Sequence, residues 1–259
     1  MSEPVYAERD GDIATIVLNR PERMNALDKA MWMQLGAAIR ELDADETVRC
    51  IVLRGAGGKA FAAGADISEF ANERANAAQA QRYGEDIAGS MRSLALCRHP
   101  TVALIEGACV GGGLLIASQC DLRLCNESAR FGVPVKNLGL TEAYDELQGM
   151  MRAIGPAASL EILLEGRIWG AREAYEKGLV NRVVPDDKVV DEAYAIARRI
   201  AEGAPLAARW HKKFVRRLAD PKKLSRKEYL ESFACFDTED FREGVAAFLA
   251  KRKPQFKGK

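Results

Sequence analysis

Apolar residues follow two different spacings along the chain, and the change of spacing marks the predicted elements. Short runs of consecutive apolar residues are typical of buried strands, and they occur at Ile13–Leu18, 50–53, Thr101–Ile105, 122–125 and 179–184. Apolar residues that recur every three or four positions predict helices after Asp28 and around residues 87–95, 147–151, 160–164 and 171–177. Residues 69–80 are polar and predict a mobile connection.

Beyond residue 187 the pattern is helical only, with helices predicted at 190–200, 207–218, 226–236 and 239–251. Strands that alternate with helices predict an α/β core, and the run of helices after them predicts a separate packing region. We therefore expect residues 1–200 to form the core and residues 201–259 to form a C-terminal helical region.

Composition narrows the classes of function. With 259 residues, 48% hydrophobic and 29% charged, the chain is typical of a soluble globular protein, and its 38 basic and 37 acidic residues give no support for nucleic-acid or membrane binding. Six cysteines without a CxxC pair, and only two histidines, argue against a metal site. Residues 1–4 lack the basic and apolar parts of a signal peptide, and no apolar run reaches transmembrane length, so we expect a cytoplasmic protein.

Two turns made of small residues follow predicted strands. Gly111-Gly112-Gly113 opens a helix, where uncovered backbone N–H groups and the helix dipole favour an oxygen anion. A close strand–helix crossing that tolerates no side chain explains the same glycines equally well. The second turn is Ala63-Gly64-Ala65-Asp66. Two such turns, if they converge, provide the two N–H donors of an oxyanion hole.

The chain resembles the crotonase (enoyl-CoA hydratase/isomerase) superfamily from about Val5 to Phe256. The resemblance is carried by the order and spacing of several segments together, namely residues 18–27, 59–67, 107–113, 120–121, 130–132, 137–139, 178–180 and 248–254. It implies a spiral of ββα repeats with two nearly perpendicular sheets and a C-terminal helical region used in trimerisation. Homotrimers of this family often pair into hexamers. The implied ligand is an acyl-CoA thioester, so coenzyme A would enter with the substrate and no cofactor would be bound permanently.

The resemblance also assigns candidate binding residues. Carried over by position, the two oxyanion donors are the N–H groups of Ala65 and Gly112. The backbone around Ala26, Leu27, Ala63, Asp66 and Ile67 would flank the coenzyme A moiety. Arg23 is a candidate phosphate partner, and Lys251 is a candidate for the coenzyme A of a neighbouring subunit. Both are surface cations, for which a solvated charge without a ligand is the alternative.

Two positions depart from the hydratase pattern. Hydratases of the family use two glutamates, and this chain has Leu115 and Val135 at those positions, where they would contact the substrate. Aliphatic side chains cannot hold a water molecule or transfer a proton, so hydration of an enoyl-CoA is not expected.

Acidic residues are concentrated shortly afterwards, in residues 142–146. Asp145 is the first candidate for an acid/base group, because it replaces a glycine that lies near the substrate in hydratases; Glu142 is the second. The alternative is a capped helix start, in which Thr141 caps the helix and the acids complement its dipole.

Taken with the family resemblance, the sequence predicts an acyl-CoA isomerase or decarboxylase. The second hypothesis is a non-catalytic acyl-CoA-binding or assembly subunit. Residues 209–217 form a basic stretch, but the near-neutral net charge of +1 gives no support for RNA binding.

Overall fold

The computed structural model describes residues 3–259; Met1 and Ser2, which belong to the segment tested for a signal peptide, lie outside them. The described strands are β1 (Val5–Asp10), β2 (Ile13–Leu18), β3 (Cys50–Gly55), β4 (Ala60–Ala62), β5 (Thr101–Ile105), β6 (Ala108–Val110), β7 (Leu122–Asn126), β8 (Arg130–Gly132), β9 (Trp169–Gly170) and β10 (Arg182–Val184). The described helices are α1 (Lys29–Ala44), α2 (Phe70–Glu73), α3 (Ala77–Leu96), α4 (Gly112–Gln119), α5 (Tyr144–Glu165), α6 (Ala171–Glu176), α7 (Val189–Ala201), α8 (Pro205–Leu218), α9 (Arg226–Glu231) and α10 (Glu239–Leu249). Within residues 3–259 no helix is long and apolar enough to cross a membrane.

The described strands form two sheets. One is six-stranded in the order β1-β2-β3-β5-β7-β10, and the other is four-stranded in the order β4-β6-β8-β9. Pairing is antiparallel between β1 and β2 and between β8 and β9, and parallel between the other neighbours. Each of β3, β5 and β7 is followed by a short strand of the other sheet and then by a helix. The α/β class predicted from the sequence is confirmed.

The central strands β2, β3 and β5 of the larger sheet are buried on both faces. Side chains such as Ile16, Leu53 and Ile105 point into the main core, which they share with α1, α3 and the smaller sheet. Alternate residues, such as Val52 and Leu104, pack on the other face beneath α7. Burial on both faces explains why these strands read as uninterrupted apolar runs in the sequence.

The segment 69–80 differs from the mobile connection that its polarity predicted. It contains the short helix α2 and the first residues of α3, whose Asn76 side chain accepts a hydrogen bond from the Gln79 N–H at 3.0 Å. Its residues are polar because most of them face solvent, and the N-cap of α3 supplies the local stability.

Several other boundaries also differ from expectation. The strand predicted at 179–184 is restricted to β10, because Leu179 and Val180 are buried in a turn before it. The helices predicted at 147–151 and 160–164 are parts of α5, whose path is interrupted at Gly155 with a φ of 68° before Pro156. Helix α9 ends at Glu231, and a 3₁₀ turn follows at Ala234–Asp237.

Helix α8 joins the C-terminal helices to the core through charged contacts. Lys212 and Arg216 both pair with Asp121, with N–O distances of 2.7 and 2.8 Å. The chain end folds back onto α10, where the buried Asp240 carboxylate accepts hydrogen bonds from the N–H groups of Lys257 and Gly258 at 2.7 and 2.9 Å.

Candidate active site

The two small-residue turns meet at one place in the fold. A Cβ atom built on Gly64 would lie 3.2 Å from the Val110 carbonyl oxygen and 3.6 Å from the Gly112 nitrogen. Gly64 has a φ of 106° and Gly111 a φ of 51°, values that side chains strongly disfavour. The turn after β4 and the turn before α4 can therefore approach each other only as bare backbone.

The N–H groups of Ala65 and Gly112 are available as donors. Leu27 donates to the Gly64 carbonyl and accepts from the Asp66 N–H, both at 2.8 Å, so the polar groups of the intervening Ala65 point away from Leu27. Gly112 is the first residue of α4, where an N–H has no acceptor within the helix. Within residues 3–259, no backbone carbonyl accepts a hydrogen bond from either group. Both residues line one cavity of about 460 Å³.

The packing explanation of the glycine triplet also holds. A Cβ on Gly113 would lie 2.3 Å from the Ala62 carbonyl oxygen, and a Cβ on Gly112 would lie 2.9 Å from the Trp32 ring. Gly113 therefore permits the crossing of α4 over β4, while Gly112 lines the cavity. The two alternatives that the sequence left open are compatible in one structure.

The cavity wall is mostly apolar and contains three charged residues. Arg74 comes from the end of α2, Glu142 from the segment before α5, and Glu146 from the first turn of α5. The apolar part of the wall includes Trp32, Ile67, Phe70, Ile87, Val110, Val135, Leu138 and Leu140. A wall of this kind can enclose an acyl chain and still bring a titratable group to it.

Glu142 has the ionisation of an acid/base group. Burial, and after it the neighbouring Glu146 carboxylate, raises the pKa of Glu142 to about 7, while Arg74 acts in the opposite direction. A carboxyl group with this pKa is present in both protonation states near neutral pH, so it can accept a proton and return it.

Glu146 has a structural role at the start of α5. Its carboxylate accepts a hydrogen bond from the Ala143 N–H at 2.6 Å, and burial raises its pKa. The helix is therefore closed at its N-terminus by Glu146, which reaches back to Ala143. In the alternative that the sequence left open, Thr141 caps the helix; the structure does not support this part of it, because Thr141 precedes the N-cap position and lines the cavity.

The structure places the Asp145 carboxylate outside the cavity wall, which corrects the expectation that it faces the substrate. It pairs instead with Arg92 on α3, with an N–O distance of 3.1 Å. The direction of its side chain is set by the first turn of α5, where adjacent residues point to different sides of the helix. Glu146 faces the cavity, and its neighbour Asp145 therefore does not.

The two aliphatic positions have different surroundings. Val135 lines the cavity, whereas Leu115 is fully buried in the main core and does not belong to the cavity wall. Leu115 is therefore not a wall residue, which corrects the expectation that it contacts the substrate, because its side chain packs inward from α4.

The remaining candidates are divided between the cavity and its surroundings. Ala63 and Ile67 belong to the wall, whereas Arg23, Ala26, Leu27, Asp66 and Lys251 do not. The Asp66 carboxylate is occupied, because it accepts from the Ser68 N–H and hydroxyl and pairs with Arg20 at 3.0 Å. The hydrogen bond from the Ser68 hydroxyl lowers the pKa of Asp66 most, and Arg20 lowers it further. Asp66 therefore supports the turn that carries the Ala65 N–H.

Sequence reasoning missed Arg74, Trp32 and Phe70 as wall residues. Arg74 lies in the polar stretch predicted to be mobile, and a single arginine in such a stretch carries no recognisable pattern. Trp32 lies on the apolar face of α1 and is indistinguishable by periodicity from an ordinary core residue.

Two turns with unpaired backbone N–H groups therefore lie beside a mostly apolar cavity that contains a carboxyl with a pKa of about 7. Comparisons with known proteins place the chain in a family. The model for the enoyl-CoA hydratase/isomerase family matches residues 8–259. A probable enoyl-CoA hydratase of Rhizobium meliloti is 38% identical over 98% of both chains. A short-chain-enoyl-CoA hydratase of Clostridium acetobutylicum is 34% identical over 96% of this chain and 95% of its own.

A solved structure supports the same assignment. An enoyl-CoA hydratase/carnithine racemase from Magnetospirillum magneticum has 50% sequence identity and a TM-score of 0.98, covering 100% of this chain and 97% of its own. The chain belongs to the enoyl-CoA hydratase/isomerase family, and the crotonase fold that its motifs implied is confirmed.

Proposed function

We propose that the protein binds an acyl-CoA thioester, holds its carbonyl oxygen between the N–H groups of Ala65 and Gly112, and moves a proton with Glu142. The observation that carries the proposal is the shared cavity: both donors and a carboxyl with a pKa of about 7 line it. Coenzyme A enters as part of the substrate.

The reaction that one such carboxyl supports is migration of a carbon–carbon double bond. Glu142 takes a proton from the carbon next to the thioester carbonyl, and the C–H electron pair moves into an enolate whose oxygen the two N–H groups stabilise. The conjugated enolate then takes a proton from Glu142 at the far end of the former double bond, and the Glu142 proton can exchange with solvent before it is returned. Atoms and charge balance without a second reactant, so no water is consumed.

Hydration needs a placed water molecule and groups that give and take its protons. At the two positions where family hydratases use glutamates, this chain has Leu115 and Val135, neither of which can do this. Decarboxylation is the second reaction that the proposed oxyanion site supports, since it requires an oriented substrate carboxylate and no protein base. The pKa of Glu142, about 7, favours isomerisation over decarboxylation, because Glu142 would have no role in the step that breaks the bond to the carboxylate.

A panel of acyl-CoA thioesters tests the proposal. Wild-type protein should convert a 3-enoyl-CoA into its 2-enoyl isomer and exchange the acidic hydrogens with deuterated solvent, both followed by mass spectrometry. Crotonyl-CoA hydration should stay well below the turnover of about 10 per second that is ordinary for enzymes.

Glu142→Gln should lower isomerisation and exchange by about 100-fold or more, because it removes the proton acceptor. Asp145→Asn is the matched control and should retain most of the activity, since its carboxylate pairs with Arg92 outside the cavity. Full activity of Glu142→Gln would remove Glu142 from the mechanism. Tight thioester binding without turnover of any thioester would establish the alternative, a non-catalytic acyl-CoA binder.

We infer that the active assembly is a homotrimer, or a hexamer formed by two trimers. Large apolar side chains on the C-terminal helices support this, since Val215, Phe248 and Leu249 are 69%, 83% and 75% exposed in the single chain. In such an assembly Lys251, just after α10, is our candidate for the coenzyme A phosphates of a neighbouring subunit. Arg23 is the candidate within the same subunit.

A further inference from the structure

Arg74 is held rigidly in the cavity wall by two aromatic rings. Its guanidinium carbon lies 4.0 Å from the centre of the Tyr83 ring and 4.7 Å from the centre of the Phe70 ring. A guanidinium stacked on aromatic faces in this way keeps its charge in one place, because the stacking favours a single rotamer. The Tyr83 ring is itself buried in the main core, and the Phe70 ring is half-buried.

The charge of Arg74 is not neutralised by an ion pair. Its Nε and Nη2 atoms are buried without a hydrogen-bond partner, and within residues 3–259 no carboxylate oxygen lies within 4.0 Å of its guanidinium nitrogens. Burying unpaired donors of a cation costs free energy, and an arginine that only supports the fold would normally be paired. The arrangement therefore points to a role of the charge itself.

The other charged or titratable groups near Glu142 each have a partner or an effect on the ionisation of Glu142. Glu146 on α5 opposes the ionisation of Glu142, and Arg74 favours it. Asp145, also on α5, pairs with Arg92 of α3. The Tyr83 hydroxyl of α3 donates to Glu69, at an O–O distance of 3.4 Å, and burial raises the pKa of Tyr83 to about 12, so this phenol stays neutral.

We propose that Arg74 is a positioning residue of this site: its fixed positive charge acts across the cavity on the Glu142 carboxyl and favours the form that accepts a proton. The inference rests on the proposed function, in which Glu142 is the base. Arg74 and Glu142 line the same cavity, and within residues 3–259 they share no direct ion pair. A direct ion pair would hold Glu142 ionised and fixed, and so make it a weaker base, whereas a charge across the cavity leaves space between the two groups for the carbon atoms of the acyl chain.

Arg74→Met tests the proposal, because it removes the charge and keeps an unbranched side chain of similar reach. The protonated-carboxyl band that Glu142→Gln removes from the infrared spectrum reports the ionisation of Glu142 without requiring turnover. Its midpoint should rise by about one pH unit in Arg74→Met. The acid limb of the pH profile of solvent deuterium exchange should move by the same amount, with activity recovering at higher pH. Arg74→Lys, which keeps a charge, should restore most of the wild-type midpoint.

Arg82→Met, an exposed position on α3, is the matched control and should leave the midpoint unchanged. Arg74→Gln is a second uncharged variant, which serves if the methionine variant does not fold. An unmoved midpoint in a folded, uncharged variant overturns the role of Arg74 even when Glu142→Gln abolishes exchange. If Glu142→Gln keeps full exchange, the proposed function itself fails, and the role of Arg74 fails with it.

Discussion

At the scale of single residues, the site depends on how protein surroundings change an ordinary carboxyl. Glu142 and Asp145 are three positions apart, yet one lines a cavity and the other pairs with an arginine at the surface. Burial raises the pKa of Glu142 to about 7, which is the property that acid/base work near neutral pH requires. The same raised pKa must appear in the stability of the fold.

The free energy of unfolding should therefore depend on Glu142 in a defined pH interval. The pKa of Glu142 rises from 4.5 to about 7 on folding, so its protonation favours the folded state below pH 4.5 and this contribution is lost as the pH rises through 7. When the pH is raised from 5 to 8, the free energy of unfolding of Glu142→Gln should therefore increase by about 2 kcal/mol relative to that of the wild type. Urea denaturation at several pH values measures this difference, with Glu85→Gln, an exposed position on α3, as the control. A difference that does not change with pH would contradict the raised pKa.

At the scale of elements, the decisive contact is the crossing of α4 over β4. It brings the Gly112 N–H next to the turn that carries the Ala65 N–H, and it leaves no space for a side chain at Gly113. The geometry of the two donors is thus coupled to the packing of a helix against a strand.

Gly113→Ala should destabilise the protein and disable the site together. Its Cβ would lie 2.3 Å from the Ala62 carbonyl oxygen, so α4 must move away from β4 at a cost of about 2–3 kcal/mol. Gly89→Ala on α3 is the matched control, because a Cβ there meets nothing within 4 Å, and it should add about 0.5–1 kcal/mol of stability. Thermal unfolding and thioester affinity measure both effects. A Gly113→Ala protein as stable and as active as wild type would show that the crossing is looser than the structure indicates.

Much of the element pattern could be predicted, and the reasons for the failures are physical. The continuous apolar strands β2, β3 and β5 and the helix after Asp28 carry strong periodic signals. Strands β4, β6 and β8 have three residues each, too few for any period to be visible. The turns that hold Ala65 and Gly112 were recognisable because glycine-rich turns are local features, and the family resemblance then assigned these two residues as candidate donors. The position of Glu142 in the cavity wall and that of Asp145 outside it depend on where α5 begins. The sequence offered a start capped by Thr141 only as an alternative, and it contains no strong capping residue at Ala143.

At the scale of the whole molecule, the C-terminal helices divide their residues between two tasks. Lys212 and Arg216 attach α8 to Asp121 of the core, and the buried Asp240 holds the chain end. Other faces of these helices carry large apolar side chains that are exposed in the single chain, such as Phe248.

Sedimentation should therefore give a mass that is three or six times the 28.4 kDa of one chain. Phe248→Asp should shift this distribution toward smaller species, because a carboxylate cannot be buried without a partner. Coenzyme A thioester affinity should fall with it if Lys251 acts on a neighbouring subunit. Glu127→Gln, an exposed position beside β7, provides a surface control. A wild-type protein that is monomeric at every concentration would contradict the assembly.

The crossing of α4 over β4 has a consequence for how the reaction of this protein can change in evolution. Both proposed oxyanion donors are main-chain atoms, so exchanging one side chain for another does not delete either of them. Mutations that preserve the crossing are free to alter every side chain around the bound carbonyl, including Val135 and Glu142. New reactions can therefore arise by single replacements in the wall, while the group that stabilises the anion is inherited unchanged with the backbone.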